Sequence, residues 1–508
     1  MRLLLSLLAT SAIAAPISKV VVLMLENRSF DHVLGRVNLP GAKQFRGYER
    51  LPIDLNDRSK GTVRVGGNAP NVNPCNPAHS LDLVTQQIFG TAYDENFAEP
   101  GPATAPMDGF VHVNGLAGDD MECGEFAVSN FVEGSLPAFH ALAKEYAVFD
   151  NFFCSFPGET HPNRLFQLAG TSDGETWNSP TRMTLGYKLR SIFDDLDEDD
   201  MSWAVYQRGA LACASLLRNM RTPSRLRKFH GFSQFKEDAA AGELPTFSWI
   251  EPNFFAATGE VADDMHPNNH DARDADDLVR NTYEALRNSP EWPHTLLVVT
   301  FDEHGGFWDH VSPPNRDIPA PDGKTKKFPF TRLGPRLPVL AVSAYTQRNS
   351  VIHTLLEHTS ILKTLRKLLG MTTGPLSQRE AWTNDFAEEV FNTDVARDDT
   401  PTRLPRAEAR SLAHNEAMAG NPLTELHIEI LHAAHEMLYG KTMSEKDLSR
   451  PEFASEGEAH EWLRWAWYKV RERAGVADAA EKDASWERFD SAWPQIPESK
   501  LNDLVRDA

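Results

Sequence analysis

The chain has 508 residues, of which 41% are hydrophobic and 24% charged, a composition that excludes collagen-like, mucin-like and wholly disordered chains. Lys and Arg number 51 against 72 Asp and Glu, a formal net charge of −21. Such a chain is repelled by nucleic-acid backbones and anionic lipid but tolerates zwitterionic surfaces, so no nucleic-acid partner is expected, and nothing indicates a protein partner.

In chain order, the first element is a leader. Arg2, the apolar run from Leu3 to Leu8 broken by Ser6, and Ala12-Ile13-Ala14 have the charge, length and small-x-small spacing of a secretory signal peptide over residues 1–14. The mature chain is therefore expected in the secretory lumen or outside the cell. No later segment approaches the ~18 apolar residues of a membrane span.

Lys19 to Leu25 is β-branched, apolar and too short for a helix, which predicts a buried strand. Residues 201–206, 295–301 and 337–343 predict further strands, the last with Pro338 near its start. Residues 136–146, 271–288 and 354–369 predict helices between them. Strands alternating with helices imply an α/β fold with a layered, mostly parallel sheet. The prolines and charges around Arg397-Asp398-Asp399-Thr400-Pro401 read as a linker. Helical periodicity at 423–439 and 462–473 then predicts a helical C-terminal region over 401–508, packed on a main domain of 15–400. Trp462, Trp465 and Trp467 are expected to face its core rather than a membrane interface.

The four cysteines, Cys75, Cys123, Cys154 and Cys213, allow three connectivities and form no C-x-x-C. Cys75 with Cys123 is the expected pair because both lie in loop-like sequence. Free buried thiols are the alternative in a domain large enough to need no staple.

Ligands in open α/β sheets bind beyond the carboxyl ends of strands. The two clearest strands here end in Glu26-Asn27 and Asp302-Glu303. Three carboxylates and one amide oxygen suit a hard or borderline divalent cation: Ca, Mg or Mn, with Zn or Fe admissible beside histidine. Helix N-caps would explain one such residue, not two adjacent pairs followed by His304, Asp309 and His310. Thr160, in Gly158-Glu159-Thr160-His161-Pro162, places a hydroxyl at a bend before a helix, where backbone N–H groups favour phosphate and a metal can acidify the hydroxyl.

Glu26-Asn27-Arg28-Ser29-Phe30-Asp31-His32, Thr160-His161-Pro162-Asn163-Arg164 and Phe301-Asp302-Glu303-His304-Gly305-Gly306-Phe307-Trp308-Asp309-His310 together resemble the signature of the phosphoesterase family, which holds non-specific phospholipases C and acid phosphatases. Met107-Asp108-Gly109-Phe110, Glu251-Pro252, Asp264-Met265-His266-Pro267 and His358-Thr359-Ser360 extend the resemblance over roughly residues 18–440. It implies an alkaline-phosphatase-like fold and metal-assisted attack on a phosphate ester. Carried over, Glu26, Asn27, Asp302 and Glu303 become metal ligands and Thr160 the nucleophile. His79, His266, Asp309 and His310 line the phosphate pocket, and Asn163 touches phosphate oxygens. His310 or His266 protonates the leaving oxygen. Glu357 stands where the family often has Asp, which suggests a structural role for Glu357-His358.

Other clusters read as bland. His427, His432 and His435 lack the zincin order and are expected partly exposed on a helix. The acidic run from Asp194 to Asp200 and the basic stretch from Arg218 to Lys228 are expected to be solvated faces. Asn27-Arg28-Ser29 matches a glycosylation pattern, but a buried ligand makes a poor acceptor. The function expected is a secreted phospholipase C with a phosphothreonine intermediate, acting on phospholipid with peripheral membrane contact. An acid phosphatase on soluble phosphomonoesters is the alternative, and a catalytically silent binding protein a further one.

Overall fold

The computed structural model describes residues 17–493 apart from 74, 94–104, 117–120, 258, 269, 324–327 and 442; the expected leader at 1–14 lies outside the described residues. Eight strands form the main sheet: β1 (Lys19–Leu25), β2 (Ala147–Phe149), β3 (Trp203–Gln207), β4 (Phe229–Gly231), β5 (Phe247–Glu251), β6 (Thr295–Phe301), β7 (Val339–Val342) and β8 (Ser350–Ile352), in the order β8-β2-β7-β6-β1-β5-β3-β4. Only β7 runs against its neighbours. The central strands β1 and β6 are apolar and buried nearly end to end, as expected of a sheet covered on both faces.

The expected strand at 337–343 starts two residues late, at Val339, because Pro338 has no N–H to give a ladder. Helices α1 (Phe30–Leu34), α2 (Pro137–Glu145), α3 (Thr160–Ala169), α4 (Ala272–Arg287), α5 (His358–Leu369), α6 (Glu425–Tyr439) and α7 (Glu456–Arg473) include all those expected. The helix expected from 354 begins at His358: Leu356–Glu357 pairs with Phe152–Phe153 as a short ladder, and Glu357 caps α5. Helix α7 starts six residues before the expected 462, where the Ser455 side chain accepts the Glu458 N–H.

Helices α6 and α7 pack together, and their apolar residues join the same core as the sheet. Trp462, Trp465 and Trp467 are buried there, with Trp462 and Trp493 ring centroids 5.2 Å apart. His427 and His435 are buried rather than partly exposed, since each meets a backbone carbonyl that needs a donor: Phe254 O at 2.6 Å and Lys441 O at 2.8 Å. The acidic and basic runs are not independent solvated faces. They pair with each other, Arg225 with Asp194 at 2.7 Å and Asp197 at 2.9 Å, and Lys228 with Asp197 at 3.0 Å. Cys75 is joined to Cys123, while Cys154 and Cys213 are free and buried. No described helix is long and apolar enough to cross a membrane.

Candidate active site

Two adjacent parallel strands, β1 and β6, release their chains at the same sheet edge, so Glu26-Asn27 and Asp302-Glu303 arrive together. The Asn27 N–H donates to Asp302 Oδ1 at 3.0 Å. Asn27 holds φ at 57°, a left-handed turn that Asn tolerates better than most residues. Gly305 makes the approach feasible: a Cβ there would stand 2.2 Å from the Asn27 carbonyl oxygen, and its φ is 64°.

Thr160 is the first residue of α3 and is buried. Its hydroxyl donates to Glu26 Oε1 at 3.4 Å. One turn on, Arg164 sends its guanidinium among three carboxylates, with Glu26 at 3.2 Å, Glu251 at 3.3 Å and Asp302 at 3.1 Å. All four side chains are fully buried. Burial pushes Glu26 and Asp302 up from the ordinary carboxylate range, neighbouring carboxylates push them further, and Arg164 opposes the rise.

The residues fit a hard divalent cation. Both polar side-chain atoms of Asn27 and the Oε1 of Glu303 are buried without a hydrogen-bond partner, an uncommon cost unless something else satisfies them. The donors are all oxygen, and one guanidinium faces more negative charge than it can offset.

Beyond this edge, His310 Nδ1 lies 2.6 Å from Asp31 Oδ2, and Arg336 bridges Asp31 Oδ1 at 3.1 Å and Asp309 Oδ1 at 2.8 Å. Burial alone would depress the imidazole, but the Asp31 hydrogen bond and charge outweigh it and raise His310 above the usual histidine range. His266 goes the other way: burial takes it down to about 3, and its Nδ1 sits 2.5 Å from Pro267 O. His79 Nδ1 meets Pro77 O at 2.8 Å, in the loop that closes over Gly306, where a Cβ would stand 2.5 Å from Ala78 O.

Two expected pocket residues spend their polar atoms on the protein itself. Asn163 holds the turn before Thr160, accepting from Phe156 N at 2.9 Å and donating to Phe156 O, Gly158 O and Glu159 O at 3.0, 3.0 and 3.1 Å. Asp309 is fully buried. Its oxygens take Arg336, the Val311 N–H at 2.8 Å and the Asp31 N–H at 3.2 Å, which makes it a support for the Asp31–His310 pair. Glu357 and His358 are structural: Glu357 bonds Ser155 and Thr359, and His358 Nε2 meets Phe301 O at 2.9 Å.

The family model described as the phosphoesterase family matches residues 17–372. The chain belongs to the phosphoesterase family. It is 37% identical over 439 residues to non-specific phospholipase C6 of Arabidopsis thaliana, covering 83% of this chain and 80% of that protein. It is 33% identical over 463 residues to non-specific phospholipase C1 of the same plant, covering 88% and 84%. Phospholipase C B of Mycobacterium tuberculosis is 27% identical over 438 residues, covering 74% and 77%. A solved alkaline phosphatase superfamily protein from Vibrio parahaemolyticus matches at 13% identity and TM-score 0.31, over 49% of this chain and 65% of that one. This phosphoesterase is accordingly a phosphoric ester hydrolase.

Sequence reasoning did not single out Arg164, Glu251 and Asp31 as parts of this phosphoesterase site. Glu251 was legible: it is the last residue of β5, the neighbour of β1, and the strand-end rule that found Glu26 also finds it. Arg164 lies one helical turn from Thr160, so the same face carries both.

Proposed function

We propose that this phosphoesterase is a phospholipase C, cleaving the glycerol-side phosphate ester of a phospholipid to diacylglycerol and a phosphorylated headgroup. The observation that carries the reading is the Thr160 hydroxyl at a helix start, hydrogen-bonded to Glu26 at an edge lined by Asn27, Asp302 and Glu303. The likeness to plant and mycobacterial phospholipases C supports the substrate class.

Glu26, Asn27, Asp302 and Glu303 would hold a divalent cation, which when bound would supply positive charge for the phosphoryl oxygens and favour ionisation of the attacking hydroxyl. The chain's own residues do the rest. Thr160 Oγ1 gives its proton to Glu26 and bonds to phosphorus, while the bond to the glycerol oxygen breaks. His310, held as the imidazolium by Asp31, donates its proton to that oxygen, and diacylglycerol leaves. The headgroup phosphate stays on Thr160 as a diester. Water then gives a proton to the neutral His310 and attacks phosphorus. The Thr160 oxygen leaves, recovers the proton from Glu26, and the phosphorylated headgroup departs.

The leader at 1–14, together with the Cys75–Cys123 bond, supports export by the secretory route, since such bonds persist in oxidising compartments. Phosphatidylcholine vesicles and p-nitrophenyl phosphate, assayed side by side, test the activity. Preference for the lipid upholds the phospholipase reading; preference for the monoester makes the protein a phosphatase. Thr160→Ala is expected to lower kcat by about 10³-fold or more, and chelation to abolish turnover until a divalent cation is returned. A folded Thr160→Ala enzyme with full activity overturns the mechanism, and failure to hydrolyse either ester leaves a binding protein.

A further inference from the structure

Two buried carboxylates cross from the C-terminal helices towards the active centre. Glu429, on α6, stands 3.3 Å from His161 Nε2, next to Thr160. Glu456, the first residue of α7, begins a longer chain. Its Oε2 lies 3.4 Å from His270 Nε2, and the opposite ring nitrogen, Nδ1, lies 2.9 Å from Asp264 Oδ1. That same Asp264 oxygen accepts the His266 N–H at 2.8 Å, and the Asp264 carbonyl accepts the Glu26 N–H at 2.9 Å. Glu456, His270, Asp264, His266 and Glu26 are all buried.

A carboxylate oxygen lies near each ring nitrogen, an arrangement that favours a proton on both. Burial disfavours that form, but Asp264 and Glu456 outweigh it and hold His270 well above the usual range. Glu456 is itself anchored: Oε2 accepts the Ala256 N–H at 3.0 Å, and the N-terminus of α7 favours its charge. His270, His427 and Glu456 offer donor atoms within 4.8 Å of one another, the spacing of a metal site. However, His427 spends Nε2 on Phe254 O at 2.6 Å and Nδ1 on the Thr424 N–H at 3.1 Å. The group is therefore an ion-paired clamp rather than an ion cage.

We propose that Glu456 is a positioning residue for catalysis: through His270 and Asp264 it fixes the loop bearing His266 against the strand end bearing Glu26. This rests on the phosphoesterase reading of that site. Without Glu456, His270 has one acid instead of two, and Asp264 loses a partner of fixed orientation. Displacements of about 1 Å in such supports cost about 10²-fold in rate.

The test uses full-length wild type, Glu456→Ala, Glu456→Gln, His270→Gln and the Glu456→Gln/His270→Gln double variant. Each is followed by kcat and KM on p-nitrophenyl phosphate, by thermal unfolding, and by hydrogen exchange of residues 262–272. Glu456→Ala is expected to lower kcat about 10-fold or more with KM changed less than about twofold. Glu456→Gln, which keeps an acceptor oxygen, is expected to lose less. The double variant is expected to be no worse than its more severe single parent, and exchange at 262–272 to quicken in all four. Kcat within about twofold of wild type with unchanged exchange overturns the proposal. So do additive losses in the double variant, or a kcat loss that only follows the unfolded fraction. If Glu456→Ala does not fold, the two Gln variants decide. If the wild type hydrolyses no ester, the phosphoesterase reading fails separately and the exchange measurement alone decides.

Discussion

His310 and His266 began as equal candidates for the proton donor, and their surroundings separate them. Asp31 raises His310 above the usual range, while burial leaves His266 neutral near a value of about 3. A leaving alkoxide of high pKa needs a donor; p-nitrophenolate does not. His310→Ala is therefore expected to lower kcat on phosphatidylcholine by ~10²–10⁴-fold and to do far less to p-nitrophenyl phosphate. The donor must be protonated, so lipid turnover falls as pH rises through the raised His310 value, on the alkaline side of 6.5. Asp31→Asn removes the cause of the rise and shifts that limb to lower pH, which a kcat–pH profile reads directly. Asn163 shows what residue type alone does not register: its amide bonds the turn that leads into Thr160.

At the scale of elements, β1 and β6 were legible because they are unbroken apolar runs, and a buried parallel strand has no polar face to alternate; the short strands Ala147–Phe149, Phe229–Gly231, Phe247–Glu251 and Ser350–Ile352 were not, being too brief to show a pattern. The site followed from them, since polar pairs at the ends of neighbouring strands must meet at one edge. Boundaries were less legible. Ser455, Thr424 and Glu357 set helix starts by capping bonds that periodicity does not register. The approach of the two strand ends depends on Gly305. Gly305→Ala combines a left-handed φ with a clash against backbone, so it is expected to lower stability by about 1–3 kcal/mol. It is also expected to lower kcat more than KM, by pushing Asn27 off its place. Denaturant unfolding and steady-state kinetics check the two parts.

Over the whole molecule, the linkage least legible from sequence is between the C-terminal helices and the active centre. His427 and Glu456 lie more than 120 residues beyond Glu303, and only packing brings them to His270. The Cys75–Cys123 bond acts at this scale as well, closing a span of 48 residues. The chain-entropy relation gives such a loop about 4 kcal/mol. Cys75→Ser/Cys123→Ser is expected to lower unfolding stability by up to about that amount, measured in urea without reductant. It also frees the segment whose Asn71 and Asn73 carbonyls accept the Ala272 and Asn268 N–H groups, beside the His266 loop. Arg164 has a consequence for assembly: with a permanent guanidinium lodged among Glu26, Glu251 and Asp302, the chain carries part of the counter-charge of this strand edge within its own covalent structure, so the edge closes around a partner that cannot diffuse away.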